Sequence, residues 1–197
     1  MRGIVSWPRS NFLEHLLRLN GLAAAGFAGW ELLAGMRFGE REAWWRGGAP
    51  RDAPHEGLDL RGFRGPDGAG ARLEPGTRVP VLWAGTLAAV VPDFLGRSVF
   101  VAHEGRDGAG RRLHSVYGHV EPRRGLTPGS ELREGEEVGA IADPAARASQ
   151  VPPHLHLTVA LIAVHAPRTL DWSVLRDPAR TALMDPLPLV CGMMPPR

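Results

Sequence analysis

Two hydrophobic periodicities divide the chain. From Ser10 to Met36, Phe12, Leu13, Leu16, Leu17 and Leu19 recur at helical spacing, with Ser10 or Asn11 placed to cap the free N–H groups of a first turn. This predicts a helical N-terminal third. The stretch GGAPRDAP (Gly47 to Pro54) then breaks regular structure, because Gly is too free and Pro lacks a donor. Beyond it the pattern changes to short β-prone runs: VPVLWAGTLAAVV, SVFVAH, LHSVYGHV, EVGAIA and HLHLTVALIA. They alternate with GPDGAGARLEPG, EGRDGAGRR, EPRRGLTPGS and DPAARASQVPP, the punctuation of an antiparallel sheet. The chain is therefore expected to be mainly β, a compact antiparallel sheet or sandwich with a helical N-terminal extension. Three segments are expected: the extension over 1–50, the β domain over 51–166, and a proline-rich C-terminal strap over 167–197, where repeated prolines forbid long regular elements.

Composition narrows the chemistry more than the partner. At 197 residues and 44% hydrophobic content the chain suffices for one packed domain with extensions. Its 23 basic and 21 acidic residues nearly cancel, so no basic field for nucleic acid is expected. The lone Cys191 excludes an internal disulfide framework and a Cys-rich zinc cluster, which leaves any metal to the eight histidines and the carboxylates. Leu19 to Met36 is the most apolar stretch near the N-terminus, but it carries Glu31 and four glycines between Arg18 and Arg37. A membrane helix wants about 20 strongly apolar residues, so no stable membrane insertion is expected. Trp7, Pro8, Asn11 and Glu14 also separate the basic start from the apolar run, unlike a clear secretory signal.

Three short patterns carry candidate chemistry. In PHEGLDL, His55 and Asp59 stand four residues apart with Gly57 between them, a spacing that suits a two-ligand clip and equally a loop hydrogen bond. In PHLHLTVALIA, strand alternation puts His154, His156 and Thr158 on one face and Leu155, Leu157, Val159 and Leu161 on the other. That strand would anchor itself by its leucines and offer two imidazoles, either as ligands or as satisfied core histidines. In SVYGHV, alternation places Tyr117 and His119 on a shared face, and spacing alone does not separate His119 from His103 or His114.

What separates them is the order HEGLD, then YGHV, then HLH, with PGSELREGEEVGAI between the last two. Over roughly Pro54 to Ala163 this order resembles the lysostaphin and LytM family of peptidoglycan endopeptidases. The resemblance implies the duplicated hybrid motif fold, zinc (Zn2+) held by His55, Asp59 and His156, and unligated catalytic histidines at His119 and His154. It also implies a peptide of cell-wall peptidoglycan as substrate and a place in the cell envelope or periplasm. Three protein ligands would leave the fourth tetrahedral position open for water, as hydrolysis requires. Two departures stand out: Val151, Pro152 and Pro153 precede HLH where the family usually has a Gly before the last Pro, and Thr158 stands where members often carry Glu. Some proteins of this fold are non-catalytic modules that regulate other wall hydrolases; they typically lack some metal ligands, and all five site residues are present here. A zinc hydrolase acting outside the wall is the third reading.

Overall fold

A computed structural model of the protein describes residues 7–163 and 170–190. The chain is mainly β. Its elements run α1 (Phe12–Asn20), β1 (Gly29–Glu31), β2 (Glu42–Ala43), β3 (Ala49–Pro50), β4 (Leu58–Leu60), β5 (Gly62–Arg64), β6 (Gly70–Arg72), β7 (Arg78–Pro80), β8 (Gly85–Pro92) and β9 (Arg97–Arg106). There follow β10 (Arg112–Pro122), β11 (Glu131–Leu132), β12 (Glu137–Ile141), β13 (Leu155–Ile162), α2 (Trp172–Leu175), β14 (Thr181–Met184) and α3 (Leu187–Val190). The β-prone runs of the sequence are the strands of one nine-stranded sheet, and every strand pair in it is antiparallel.

The helical pattern expected up to Met36 stops at Asn20. Gly21 takes a left-handed conformation (φ 61°), and Leu22 N–H reaches back to the Leu17 carbonyl while Gly21 N–H reaches Arg18, which closes the helix in a Schellman turn. The apolar face is the one that the spacing predicts but the helix is shorter, because GLAAAGFAG supplies glycines that end a helix as readily as alanines that continue one. The helix buries Phe12, Leu13 and Leu16 on the sheet, with the Phe12 ring stacked 6.5 Å from Tyr117. Downstream, Gly29–Glu31 becomes a strand paired with β5. Among the described residues no helix is long and apolar enough to cross a membrane.

The centre of the sheet is β10 with β13 beside it. All eight residues of β13 are buried. Leu155, Leu157, Val159 and Leu161 enter the main core, as their alternation predicts, while Ala160 and Ile162 join Phe100, Val116, Val174 and Leu175 in a second cluster on the opposite face. At the far edge β14 pairs with β13, so part of the proline-rich tail extends the sheet. The expected junction at 166–167 and Cys191 lie outside the described residues.

His103 and His114 are structural. His103 lies between the Ala84 carbonyl (3.0 Å) and Ser115 Oγ (2.8 Å), and His114 Nδ1–H donates to the Arg112 carbonyl at 2.9 Å. Burial pushes each down to about 4 from the ordinary 6.5. The unfolded chain therefore binds more protons than the folded one between these values. The stabilisation is complete above pH 6.5 and is lost as pH falls toward 4, at up to about 1.4 kcal/mol per pH unit for each histidine. Urea unfolding at pH 7 and pH 5 is expected to show stability falling by on the order of 2–4 kcal/mol, with a smaller fall in the His103→Gln/His114→Gln double variant. An equal fall in that variant would assign the acid sensitivity elsewhere.

Candidate metal centre

Strand register brings the ligand candidates together. β4 pairs with β13 so that Asp59 lies opposite His156, and β10 pairs with β13 so that Gly118 lies opposite His156 on the other side. His55 enters from the loop before β4. Gly57 is required in that loop, since a Cβ there would sit 2.3 Å from the Leu157 carbonyl oxygen and 2.9 Å from His156 Nε2. His55 Nε2, Asp59 Oδ1 and His156 Nδ1 form a triangle with edges of 2.8, 3.1 and 3.1 Å, the arrangement of three donors that can hold a metal ion.

The surroundings fix which atoms face inward. His55 Nδ1–H donates to the Arg37 carbonyl at 3.1 Å, so its Nε2 presents a lone pair. His156 Nε2 lies 2.9 Å from Thr158 Oγ1; as donor to that hydroxyl it leaves Nδ1 as the inward lone pair. Thr158, the departure from the family pattern, thus orients a candidate ligand. Asp59 Oδ2 accepts from Trp44 Nε1 (2.8 Å) and Arg51 (3.3 Å), which reserves Oδ1 for the centre. Three electron-rich atoms at such separations repel unless a cation or proton lies among them. Tetrahedral zinc, with bonds of about 2.0–2.2 Å, holds its ligand atoms about 3.3–3.5 Å apart, so opening the triangle by a few tenths of an ångström accommodates it. Burial alone would raise the Asp59 carboxyl, but the imidazoles of His154, His156 and His55 packed around it hold it well below the usual range.

Much of this support comes from the N-terminal segment, which lies outside the part of the sequence that carries the motifs. Glu40 O accepts from His55 N–H and Met36 O from Asp59 N–H, both at 2.9 Å, in addition to the contacts of Arg37, Trp44 and Arg51. No spacing rule in the sequence announces these partners.

His154 and His119 stand beside the triangle. His154 Nδ1–H donates to the Pro152 carbonyl at 2.9 Å, and its Nε2 lies 3.9 Å from Asp59 Oδ1. Burial pushes His154 down to about 4, against the pull of Asp59, so it is neutral at pH 7. The His119 ring is 4.8 Å from that of His154 and 5.9 Å from that of His156. The expected shared face of Tyr117 and His119 is not observed. Tyr117 is buried in the core with its hydroxyl accepting from Leu82 N–H at 2.7 Å, whereas His119 adopts φ 63° and turns to the His156 side. The β9–β10 register shifts between Tyr117 and Val120, so strict alternation fails at this step. A left-handed histidine costs roughly 1–2 kcal/mol, which its surroundings must offset.

Asp93 supplies part of that offset and was not anticipated. Its Oδ2 accepts from His119 N–H (2.8 Å) and Ser98 Oγ (2.7 Å), and its Oδ1 accepts from Leu95 and Gly96 N–H. Burial would raise this carboxyl, but contact with His119 and the bond from Ser98 hold it well below the usual range. The only sequence signal was a D-x-x-G turn. All five expected site residues are buried, from 1% exposed at His55 and Asp59 to 6% at His119 and His156. Trp44 and Trp172 stand edge-on to His154 and His156, while Phe94, 62% exposed, packs on His119 at the solvent side.

No family model and no curated protein matches the chain. Solved structures resemble it, three of them as follows. A LytM protein from Ruminococcus gnavus is 16% identical over 69% of this chain and 45% of its own, with a TM-score of 0.45. Lysostaphin is 16% identical over 84% of this chain and 48% of its own, with a TM-score of 0.44. A zinc-containing peptidase from Vibrio cholerae is 13% identical over 84% of this chain and 38% of its own, with a TM-score of 0.48. The chain thus spans less than half the length of each.

Proposed function

We propose that this chain is a zinc-dependent metalloendopeptidase of the LytM and lysostaphin type that hydrolyses peptide bonds in bacterial cell-wall peptidoglycan. The observation that carries the reading is the triangle of His55 Nε2, Asp59 Oδ1 and His156 Nδ1 with two further imidazoles beside it. Structural histidines occur elsewhere in this fold, but His103 and His114 each rest on backbone or hydroxyl partners and never gather around a carboxylate. The choice of peptidoglycan rests on the motif order of the sequence.

In this reading His55, Asp59 and His156 hold zinc. When bound, the ion acidifies water toward a pKa of about 7 and polarises the scissile carbonyl. His154 and His119 divide the proton work. His154 is neutral, and its Nδ1–H is committed to Pro152, so its Nε2 is free to accept a proton from water and return it to the leaving amine. His119, across from it, takes up a proton at its outward Nε2 and donates it in a hydrogen bond to the carbonyl oxygen as negative charge develops there. Trp44 and Trp172 exclude water from the inner side, and Phe94 faces the approaching peptide.

The test is release of new amino groups from purified peptidoglycan, with zinc content measured on the same protein before and after chelation. About one zinc per chain and cleavage that disappears with the metal and returns with it is the expected result. Zinc bound without wall cleavage would overturn the substrate, and absence of zinc binding would overturn the metallopeptidase reading itself.

A further inference from the structure

The two oxygens of Asp93 do different jobs. Oδ1 closes a local turn through Leu95 N–H (2.9 Å) and Gly96 N–H (2.7 Å), a role that any turn aspartate can fill. Oδ2 reaches out of the turn to His119 N–H across 26 residues of sequence. Ser98 Oγ donates to the same oxygen and accepts from Trp172 Nε1 at 3.0 Å. One partly buried relay therefore joins helix α2 to the backbone of His119, at the residue whose left-handed conformation turns its ring to the centre. His119 Nδ1 is buried without an aligned hydrogen-bond partner, and Asp93 Oδ1 faces it at 3.2 Å.

We propose that Asp93 is the positioning residue for His119: it pins the left-handed backbone through Oδ2 and holds the Nδ1–H tautomer through Oδ1, so that Nε2 is presented to the peptide. This rests on the peptidase reading above, with Asp93 acting through His119 and never touching substrate. A carboxylate behind an imidazole fixes which nitrogen carries the proton and how the ring is aimed. A ring with the other tautomer would present an N–H where a lone pair is needed. Ser98 and Trp172 keep the carboxylate from rotating away, which gives α2 a part in aiming the histidine.

Histidine 15N spectroscopy of the whole chain reads the tautomer directly, alongside kinetics. In the wild type His119 is expected as the Nδ1–H tautomer, and Asp93→Asn, which retains an oxygen for the turn, is expected to mix the tautomers while leaving the His55 and His156 signals and zinc content in place. Peptide cleavage should lose about 10- to 100-fold in kcat with little change in KM. In a His119→Ala background the same substitution should change kcat less than about twofold, because the two residues act as a unit. An Nε2–H tautomer of His119 in the wild type, or an equal loss in both backgrounds, would overturn the proposal and leave Asp93 a turn residue. Absence of any zinc-dependent cleavage by the wild type would instead defeat the peptidase reading, and the tautomer would still decide the role of Asp93.

Discussion

Asp59→Ala is expected to abolish stoichiometric zinc binding and to lower peptide hydrolysis by on the order of 10³-fold or more. Asp59 is the charged member of the triangle, 2.8 Å from His156 Nδ1 and 3.1 Å from His55 Nε2. Without it two imidazoles remain, too few to hold the ion in a closed site. The variant also strands Trp44, whose Nε1–H points at the missing Oδ2, while Arg51 keeps the Gly35 and Glu42 carbonyls. Leaving a buried donor unpaired costs about 1–3 kcal/mol. The loaded wild type gains further from its ligand, about 4 kcal/mol when free zinc exceeds the dissociation constant a thousandfold. Thermal melting with and without added zinc separates these contributions: the wild type should gain stability with zinc and Asp59→Ala should not. A variant that keeps one zinc per chain and its activity would remove Asp59 from the centre.

The sequence was most informative where one strand faces one core. The alternation in LHLTVALI places Leu155, Leu157, Val159 and Leu161 on the buried main-core face and His156 and Thr158 on the other, and the structure agrees because β13 is regular throughout. Alternation failed at His119. There a register shift and a positive φ rotate a single residue, and no periodicity reports a backbone torsion. The N-terminal segment failed differently. Its apolar face was legible in Phe12, Leu13 and Leu16, but helix length depended on Gly21 adopting a left-handed cap. The partners of the centre were the least legible. Trp44, Arg51 and the carbonyls of Met36, Arg37 and Glu40 approach from outside the motif region, and the three carbonyls are main-chain atoms that leave no mark on side-chain spacing. Thr158 shows the converse: it read as a departure from a family pattern, and its hydroxyl sits 2.9 Å from His156 Nε2, where a ligand needs an orienting partner.

His154→Ala is expected to keep its zinc and lose about 10²- to 10⁴-fold in kcat. Of the two histidines of HLH, His156 lies on β13 and points Nδ1 into the triangle, whereas His154 precedes the strand and stands outside the group of three whose ligand atoms lie within 4.8 Å of one another. Its Nε2 is 3.9 Å from Asp59 Oδ1, near enough to meet a reacting water and poorly placed to replace a ligand. His156→Ala, by contrast, should lose metal and activity together, as Asp59→Ala does. Truncating His154 leaves a gap beside the edge of Trp44, so His154→Gln, which refills most of that volume without restoring a basic nitrogen, separates packing from proton transfer. Zinc content, melting temperature and kcat measured on the three variants resolve the roles. Retained metal with lost turnover at His154, in both the Ala and Gln forms, is the signature of a proton-transfer residue; loss of metal from both would make His154 a fourth ligand and leave no open position for water.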